Sequence, residues 1–286
     1  MAKLTRRQFG IVTGLTGVLA AFPIPLLAQT GGTLGRIRET GTVTVGTEAA
    51  FPPFEFVDES GQIVGYGKDI LDVIVSELGV ELRQLDLPWQ GILPGLLAGN
   101  FDFVATTVGV NEERASRYAY TAPIANGQPY ALTRAGEAFE DEDAMAGLRV
   151  GTQLASSTEP IARALNDRLT AEGEGFADLL LYTAFTDCYV ALATGEIDVV
   201  IQSLPSLATL VRDRPDAFEI GAPIETGVQW TYLCWVTRPE DTDLRDFISV
   251  VIFKMRDDGR LYELQEKWFG FRMEIPHDGY LPEGAL

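Results

Sequence analysis

A short stretch of this chain recurs. Val45-Gly46-Thr47 returns 105 residues later as Val150-Gly151-Thr152, and each copy ends an alternating or apolar run of the kind that forms a strand. A second echo keeps the same order. Gly99-Asn100-Phe101-Asp102 introduces the apolar run Phe103 to Thr107, and Gly195-Glu196-Ile197-Asp198 introduces Val199 to Ser203. In both, the fifth residue after the Asp is a small hydroxyl residue, Thr107 or Ser203. Two echoes that agree in order and spacing describe a pair of related lobes within one chain.

Between the echoes the pattern is helical. Lys68 to Leu78 puts Ile70, Leu71, Ile74, Val75 and Leu78 on one face, with Gly79 as a stop. A helix beginning at Pro94 and ending at Gly99 has its counterpart in Thr186 to Thr194, ended by Gly195. Such alternation predicts an α/β fold in which each lobe is a mainly parallel sheet flanked by helices. The extended runs Gln128 to Arg134 and Val228 to Thr237 interrupt the rhythm and read as two crossings between lobes. Lobe one is then residues 36–129 plus 231–286, and lobe two residues 130–230. A final helix over Leu244 to Trp268 has a break at Gly259 and a stop at Gly270.

Composition removes several functions. Of 286 residues, 41 are Asp or Glu and 22 Lys or Arg, for a formal charge of −19 that would repel a phosphate backbone or an anionic lipid surface. Nucleic acid is therefore not an expected partner. His277 is the single histidine, which excludes a His-rich metal site or a histidine pair in catalysis. Neither a metal nor another cofactor is expected. Cys188 and Cys234 could pair in an oxidising compartment, but the crossings put them in different lobes, so free buried thiols are expected.

The first 28 residues carry Lys3, Arg6 and Arg7 and no acid, then an uncharged stretch from Gly10 to Ala28 interrupted by Gly10, Gly14, Gly17, Pro23 and Pro25. That reads as a cleaved signal peptide rather than an anchor, with cleavage after Ala28. Thr5-Arg6-Arg7-Gln8-Phe9 resembles a twin-arginine signal, although Ile11 departs from it and leaves the general secretory route open. Both routes end in the periplasm.

In open α/β sheets ligands bind beyond the carboxyl ends of the strands. Here those ends carry Glu48 and Phe51, Trp89, Thr107 and Gly109, then Arg114 in lobe one, and Gln153, Ser156, Ser157 and Ser203 in lobe two. Arg114 presents a planar fork that fits a carboxylate, or else a surface pair with Glu112 or Glu113. Ser156, Ser157 and Thr158 precede a helix and read as an N-cap cluster whose N–H groups also suit an anion. Phe51, Phe54 and Trp89 are aromatic walls or core, and Glu48 adds a negative charge beside them. Together these describe a cleft for a zwitterion.

The motifs Phe51-Pro52-Pro53-Phe54-Glu55-Phe56, Gly65-Tyr66-Gly67-Lys68-Asp69, Trp89-Gln90-Gly91-Ile92-Leu93-Pro94, Asn111-Glu112-Glu113-Arg114 and Trp268-Phe269-Gly270 resemble the family 3 solute-binding proteins of ABC importers, of the polar amino acid type. The resemblance implies two lobes joined by two hinge crossings that close on a ligand and deliver it to a membrane permease. It implies that Arg114 holds a ligand carboxylate with Thr107 and Gly109, that Phe51 and Trp89 flank the ligand, and that Gln153, Ser156 and Ser157 complete the shell. A soluble, monomeric binder without catalysis is expected. A dehydratase-like enzyme on the same fold is the rival, for which Glu48 is the one obvious cleft acid. Where amino-acid-binding members place an Asp for the α-ammonium, this chain has Ser203. Either Glu48 receives the cation, or the ligand lacks an ordinary primary ammonium, as in ectoine-like compatible solutes and opine-like conjugates.

Overall fold

The computed structural model describes residues 31–225, 227 and 231–286. The expected signal peptide and its cleavage point lie outside the described residues, as do Val228, Gln229 and Trp230 of the second crossing.

From the amino-terminal side, α1 (Thr33–Thr40) leads into β1 (Thr42–Thr47) and a small sheet of β2 (Ala50–Phe51), β3 (Glu55–Val57) and β4 (Ile63–Val64). There follow α2 (Tyr66–Leu78), β5 (Glu81–Asp86), α3 (Trp89–Leu97), β6 (Phe103–Gly109), α4 (Glu112–Ala115) and β7 (Ala119–Asn126). The chain then crosses into β8 (Pro129–Arg134), β9 (Arg149–Gln153), α5 (Thr158–Glu172), β10 (Asp178–Tyr182), α6 (Phe185–Thr194), β11 (Val199–Ser203), α7 (Leu204–Asp213) and β12 (Phe218–Pro223). It returns through β13 (Tyr232–Thr237) to α8 (Thr242–Asp257) and α9 (Arg260–Phe269).

Two five-stranded sheets result, ordered β5-β1-β6-β13-β7 and β10-β9-β11-β8-β12. The first three strands of each are parallel. The other two are not. β13 runs antiparallel to β6 and β7, and β8 antiparallel to β11 and β12, so the sheets are mixed rather than mainly parallel. In each sheet the fourth strand is the one that has just crossed from the other sheet. It enters at the ligand-facing end of the parallel strands and must run against them. The crossings lie side by side, with the Gly127 N–H donating to the Thr231 carbonyl. A side chain on Gly127 would meet Leu233 at 2.6 Å, so the close approach itself requires glycine.

The sequence echo is a repeated lock. The Asp102 N–H donates to the Thr44 carbonyl (2.7 Å) and its carboxylate accepts from the Thr44 N–H (2.8 Å). Asp198 does the same with Arg149, at 2.8 and 3.1 Å. Thr47 Oγ1 donates to the Ala105 carbonyl (3.0 Å), and Thr152 Oγ1 to the Ile201 carbonyl (3.1 Å). Gly46 lies under the Phe101 ring, where a Cβ would fall 2.6 Å away, and Gly151 lies under Ile197, where it would fall 2.5 Å away. Each recurring element of the echo thus holds the central parallel strands in register.

Helices follow the expected periodicity. Ile70, Leu71, Ile74 and Leu78 of α2 are buried, and Gly79 closes the helix at φ 70°, its N–H on the Val75 and Ser76 carbonyls. Helix α3 begins at Trp89 instead of Pro94. Pro94 sits inside it and cannot donate to the preceding turn, but buried Ile92 and Leu96 anchor the helix on both sides of it. The expected last helix is two, α8 and α9, broken at Gly259 with φ 91°. α9 touches both sheets' helices: the Trp268 carbonyl accepts from Thr209 on α7, while Trp268 Nε1 donates to Asp69 on α2.

Candidate functional site

Strands β1 and β6 end facing β9 and β11, and their terminal residues meet. Glu48, Phe51, Trp89, Thr107, Gly109, Gln153, Ser156, Ser157 and Ser203 all line one narrow cavity between the two sheets, joined by Gly127, Thr158, Phe185, Gln202 and Leu233. Its volume is about 30 Å³, room for a water molecule or two. The lobes are therefore closed on each other, and a larger guest needs them to part.

Direct contacts hold this closure. Gln153 Nε2 donates to Glu48 Oε1 at 2.6 Å. Trp89 Nε1 donates to the Ala155 carbonyl at 2.9 Å, and Gln90 Nε2 to the Thr183 carbonyl at 3.0 Å. The Phe51 and Phe185 rings meet at 5.7 Å, with Phe54 stacked behind Phe51 at 5.3 Å. A Cβ on Gly109 would fall 2.3 Å from Ser157 Oγ, so glycine is what lets the end of β6 touch the opposite lobe.

Arg114 is placed differently from the other nine expected residues. It is buried, and Asn111 caps its short helix by accepting from the Arg114 N–H at 2.8 Å. Its guanidinium donates to the Gly109 carbonyl (3.2 Å) and across the cleft to the Ala155 carbonyl (2.6 Å), with its face 5.4 Å from the Trp89 ring. It lines the neighbouring opening with Trp89 and Ser156 rather than the cavity itself. It is not paired with Glu112 or Glu113, the surface alternative; Glu113 pairs with Arg117 instead. Ala155, the one non-glycine residue with positive φ (60°) among the described residues, turns its carbonyl towards both Trp89 and Arg114.

The hydroxyl cluster also departs from expectation. Ser157 precedes α5 with helical dihedrals and makes no side-chain cap. Thr158 Oγ1 bonds instead with Thr152 Oγ1 (2.6 Å) and Ser156 Oγ (2.9 Å), and Glu159 accepts from the Ala155 N–H at 2.7 Å. Glu159 thereby ties down the turn before the helix without capping its first-turn N–H groups, and Ser157 lines the cavity.

Electrostatics set the acids apart. Burial pushes Glu48 up to about 7, Asp86 adds to the rise, and the Gln153 amide acts the other way. Beneath it Glu55 is fully buried and held well above the carboxylate range by that burial, with Thr106 Oγ1 donating to it at 2.9 Å. Glu48 is the only acid among the described residues that line the cavity. Among the described residues no group of His, Cys, Asp and Glu is arranged to hold a metal. Cys188 and Cys234 are free and buried.

Sequence reasoning did not single out Phe185 or Gly127. Gln202-Ser203 reads from the sequence as a strand end lining the cleft, and of the two only Ser203 is taken there as a ligand contact.

The family described as bacterial extracellular solute-binding proteins, family 3, matches residues 43–271. This chain belongs to that family. Within it, the chain is 27% identical over 245 residues to the L-cystine-binding protein TcyJ of Escherichia coli (strain K12), covering 84% of this chain and 86% of the relative. Among solved structures it is similar to ArgBP from T. maritima, with 29% identity, a TM-score of 0.70, and coverage of 83% of this chain and 99% of that one. An ancestral arginine-binding protein bound to arginine is similar at 27% identity and a TM-score of 0.72, over 80% of this chain and 99% of that one. The two-lobed α/β fold of this solute-binding protein is theirs.

Proposed function

We propose that this solute-binding protein is the capture component of an amino-acid ABC importer, taking an amino acid or a related zwitterion between its lobes and handing it to a permease of the inner membrane. It binds and releases without catalysis. The relatives named for cystine and arginine binding support the ligand class. The observation that carries the reading is the meeting of the strand ends: a buried guanidinium at Gly109, a carboxylate at Glu48, aromatic rings of Phe51 and Trp89 and the hydroxyls of Ser156 and Ser157 converge from both lobes.

In this reading Arg114 exchanges its carbonyl partners for the ligand carboxylate, assisted by Thr107 and the Gly109 N–H. Phe51 and Trp89 flank the remainder, Glu48 faces the cationic end, and Gln153, Ser156, Ser157 and Ser203 join from lobe two as the hinge closes. Lobe one comprises 36–129 and 231–286, and lobe two 130–230. The protein works as a periplasmic monomer, exported by the leader over residues 1–28 through the twin-arginine or general secretory route. Amino-terminal sequencing of the protein from a periplasmic extract should begin just after Ala28.

Titration calorimetry with free amino acids and related zwitterions, beside mass spectrometry of whatever copurifies, tests the reading. A zwitterion bound with micromolar or tighter affinity and recovered unchanged supports it. Failure of every zwitterion to bind, or chemical conversion of the bound molecule, overturns it.

A further inference from the structure

The family match ends at residue 271, and the chain beyond it folds back along lobe one. The Met273 N–H donates to Gln265 Oε1 at 2.7 Å, which turns the chain off α9. The Ile275 carbonyl then accepts from the Arg256 guanidinium at 3.0 Å, the His277 ring lies 4.7 Å from that of Phe253, and the Leu286 carbonyl accepts from Arg245 at 3.3 Å. As the numbers of the tail rise those of α8 fall, so residues 272–286 run antiparallel to that helix.

The tail leaves α8 at α4. There the Leu286 N–H donates to the Ala115 carbonyl at 3.1 Å. Among the described residues this is the one hydrogen bond that the main chain of α4 receives from beyond residues 111–118. Tyr280, Leu281 and Ala285 pack against the same apolar cluster that holds Ala115, Tyr118 and Trp89. Helix α4 needs such a hold. It is a single turn capped at one end by Asn111, and a helix this short has no stability of its own in water. Arg114 precedes the anchored carbonyl, and its long side chain turns a small tilt of α4 into a displacement of the guanidinium. A binding group is only as well placed as the packing behind it.

We propose that residues 272–286 are a strap that positions Arg114 for the ligand carboxylate, by tying α4 to α8 and to the apolar core of lobe one. This inference rests on the carboxylate role of Arg114 in the amino-acid reading above and adds the segment that holds it in place.

Calorimetry with the free L-amino acids, L-cystine and ectoine finds the tightest binder of that panel on the wild type, and the same compound then probes the variants. Deletion of residues 280–286 should weaken it at least about tenfold. Leu286→Pro removes the N–H and should weaken it about fivefold, whereas Leu286→Ala keeps the N–H and should retain the affinity. In an Arg114→Ala background the deletion and Leu286→Pro should each change affinity by less than about twofold, because their effect passes through the guanidinium. Thermal melts report folding separately, and a deletion too unstable to assay leaves the decision with the two Leu286 variants. If folded Leu286→Pro binds as the wild type does, or if its loss keeps its full size in Arg114→Ala, the strap is overturned while the amino-acid reading stands. If no compound of the panel binds the wild type, both fall.

Discussion

Arg114 carries two tasks with one side chain. In the closed protein its guanidinium joins the lobes through the Ala155 carbonyl, and in the proposed complex it takes the ligand carboxylate. Arg114→Ala should therefore weaken ligand binding by about 3–5 kcal/mol, the scale of leaving a buried charge without its partner. Calorimetry reads this as a loss of at least a hundredfold, and an unchanged affinity would exclude Arg114 from the site. Glu48 makes a second prediction, on pH. Its folded-state value of about 7 lies above the ordinary 4.5, so the folded protein holds a proton that the unfolded chain has lost between those two values. Its contribution to stability is full below pH 4.5, falls as pH rises to 7, and is constant above. Glu48→Gln removes the loss, so relative to wild type the variant should gain up to about 3 kcal/mol at pH 8 and nothing at pH 4, less the altered bond to Gln153. Urea unfolding of both proteins at the two pH values would show the difference; a pH-independent difference would disprove the buried titration. At this scale the residues were legible as types and the contacts were not. Arg114 is readable in the sequence as a guanidinium beyond a strand end, with a surface pair to Glu112 or Glu113 equally open, but its hold on Ala155 depends on a left-handed turn 41 residues away, which no local pattern announces.

At the scale of elements, the repeated lock decides how each sheet is assembled. Gly46 and Gly151 are glycines because Phe101 and Ile197 cross the strand at that point, each supplied by the turn that also carries the locking Asp. Gly46→Ala and Gly151→Ala should each destabilise by about 1–3 kcal/mol through overpacking. Gly91→Ala is the control: nothing stands within 4 Å of its Cβ position on α3, and a helical Ala in place of Gly should stabilise by up to about 1 kcal/mol. Denaturant midpoints of the three variants test the ordering. The lock on Asp198 has a pH signature too. Its bonds to the Arg149 side chain hold the carboxyl down at about 2, so its share of stability is present above pH 3.8 and is lost as pH falls towards 2. Strands β6 and β11, with the hydroxyl residue five beyond the Asp, were readable in advance because the pattern is local. The antiparallel placement of β8 and β13 was not, since direction within a sheet depends on where a strand comes from.

As a whole molecule the protein is two copies of one plan joined by neighbouring crossings, with the functional groups on the surfaces that meet. Its closed form is held by Gln153 on Glu48, by Trp89 and Arg114 on Ala155 and by Gln90 on Thr183, all polar contacts that opening exposes to water at little cost. Trp89→Phe keeps the ring and removes the N–H, and should shift the population towards the open form, seen as a larger radius of gyration by solution scattering. The two thiols provide a check on the packed state. Burial pushes Cys188 up to about 12 and Cys234 well above its ordinary range, so neither should react with a thiol reagent in the native protein, and two should titrate after denaturation without reductant. The sequence by itself determined the duplication, the strand–helix rhythm and the residue types at the strand ends, because glycines, locking acids and apolar periodicity act over a few neighbouring positions. The tertiary structure alone decided which of those ends touch: Arg114 with Ala155, Glu48 with Gln153, and Gln90 with Thr183. Those pairings join residues far apart in the chain, and only the closing of one lobe on the other brings their polar atoms within hydrogen-bonding distance.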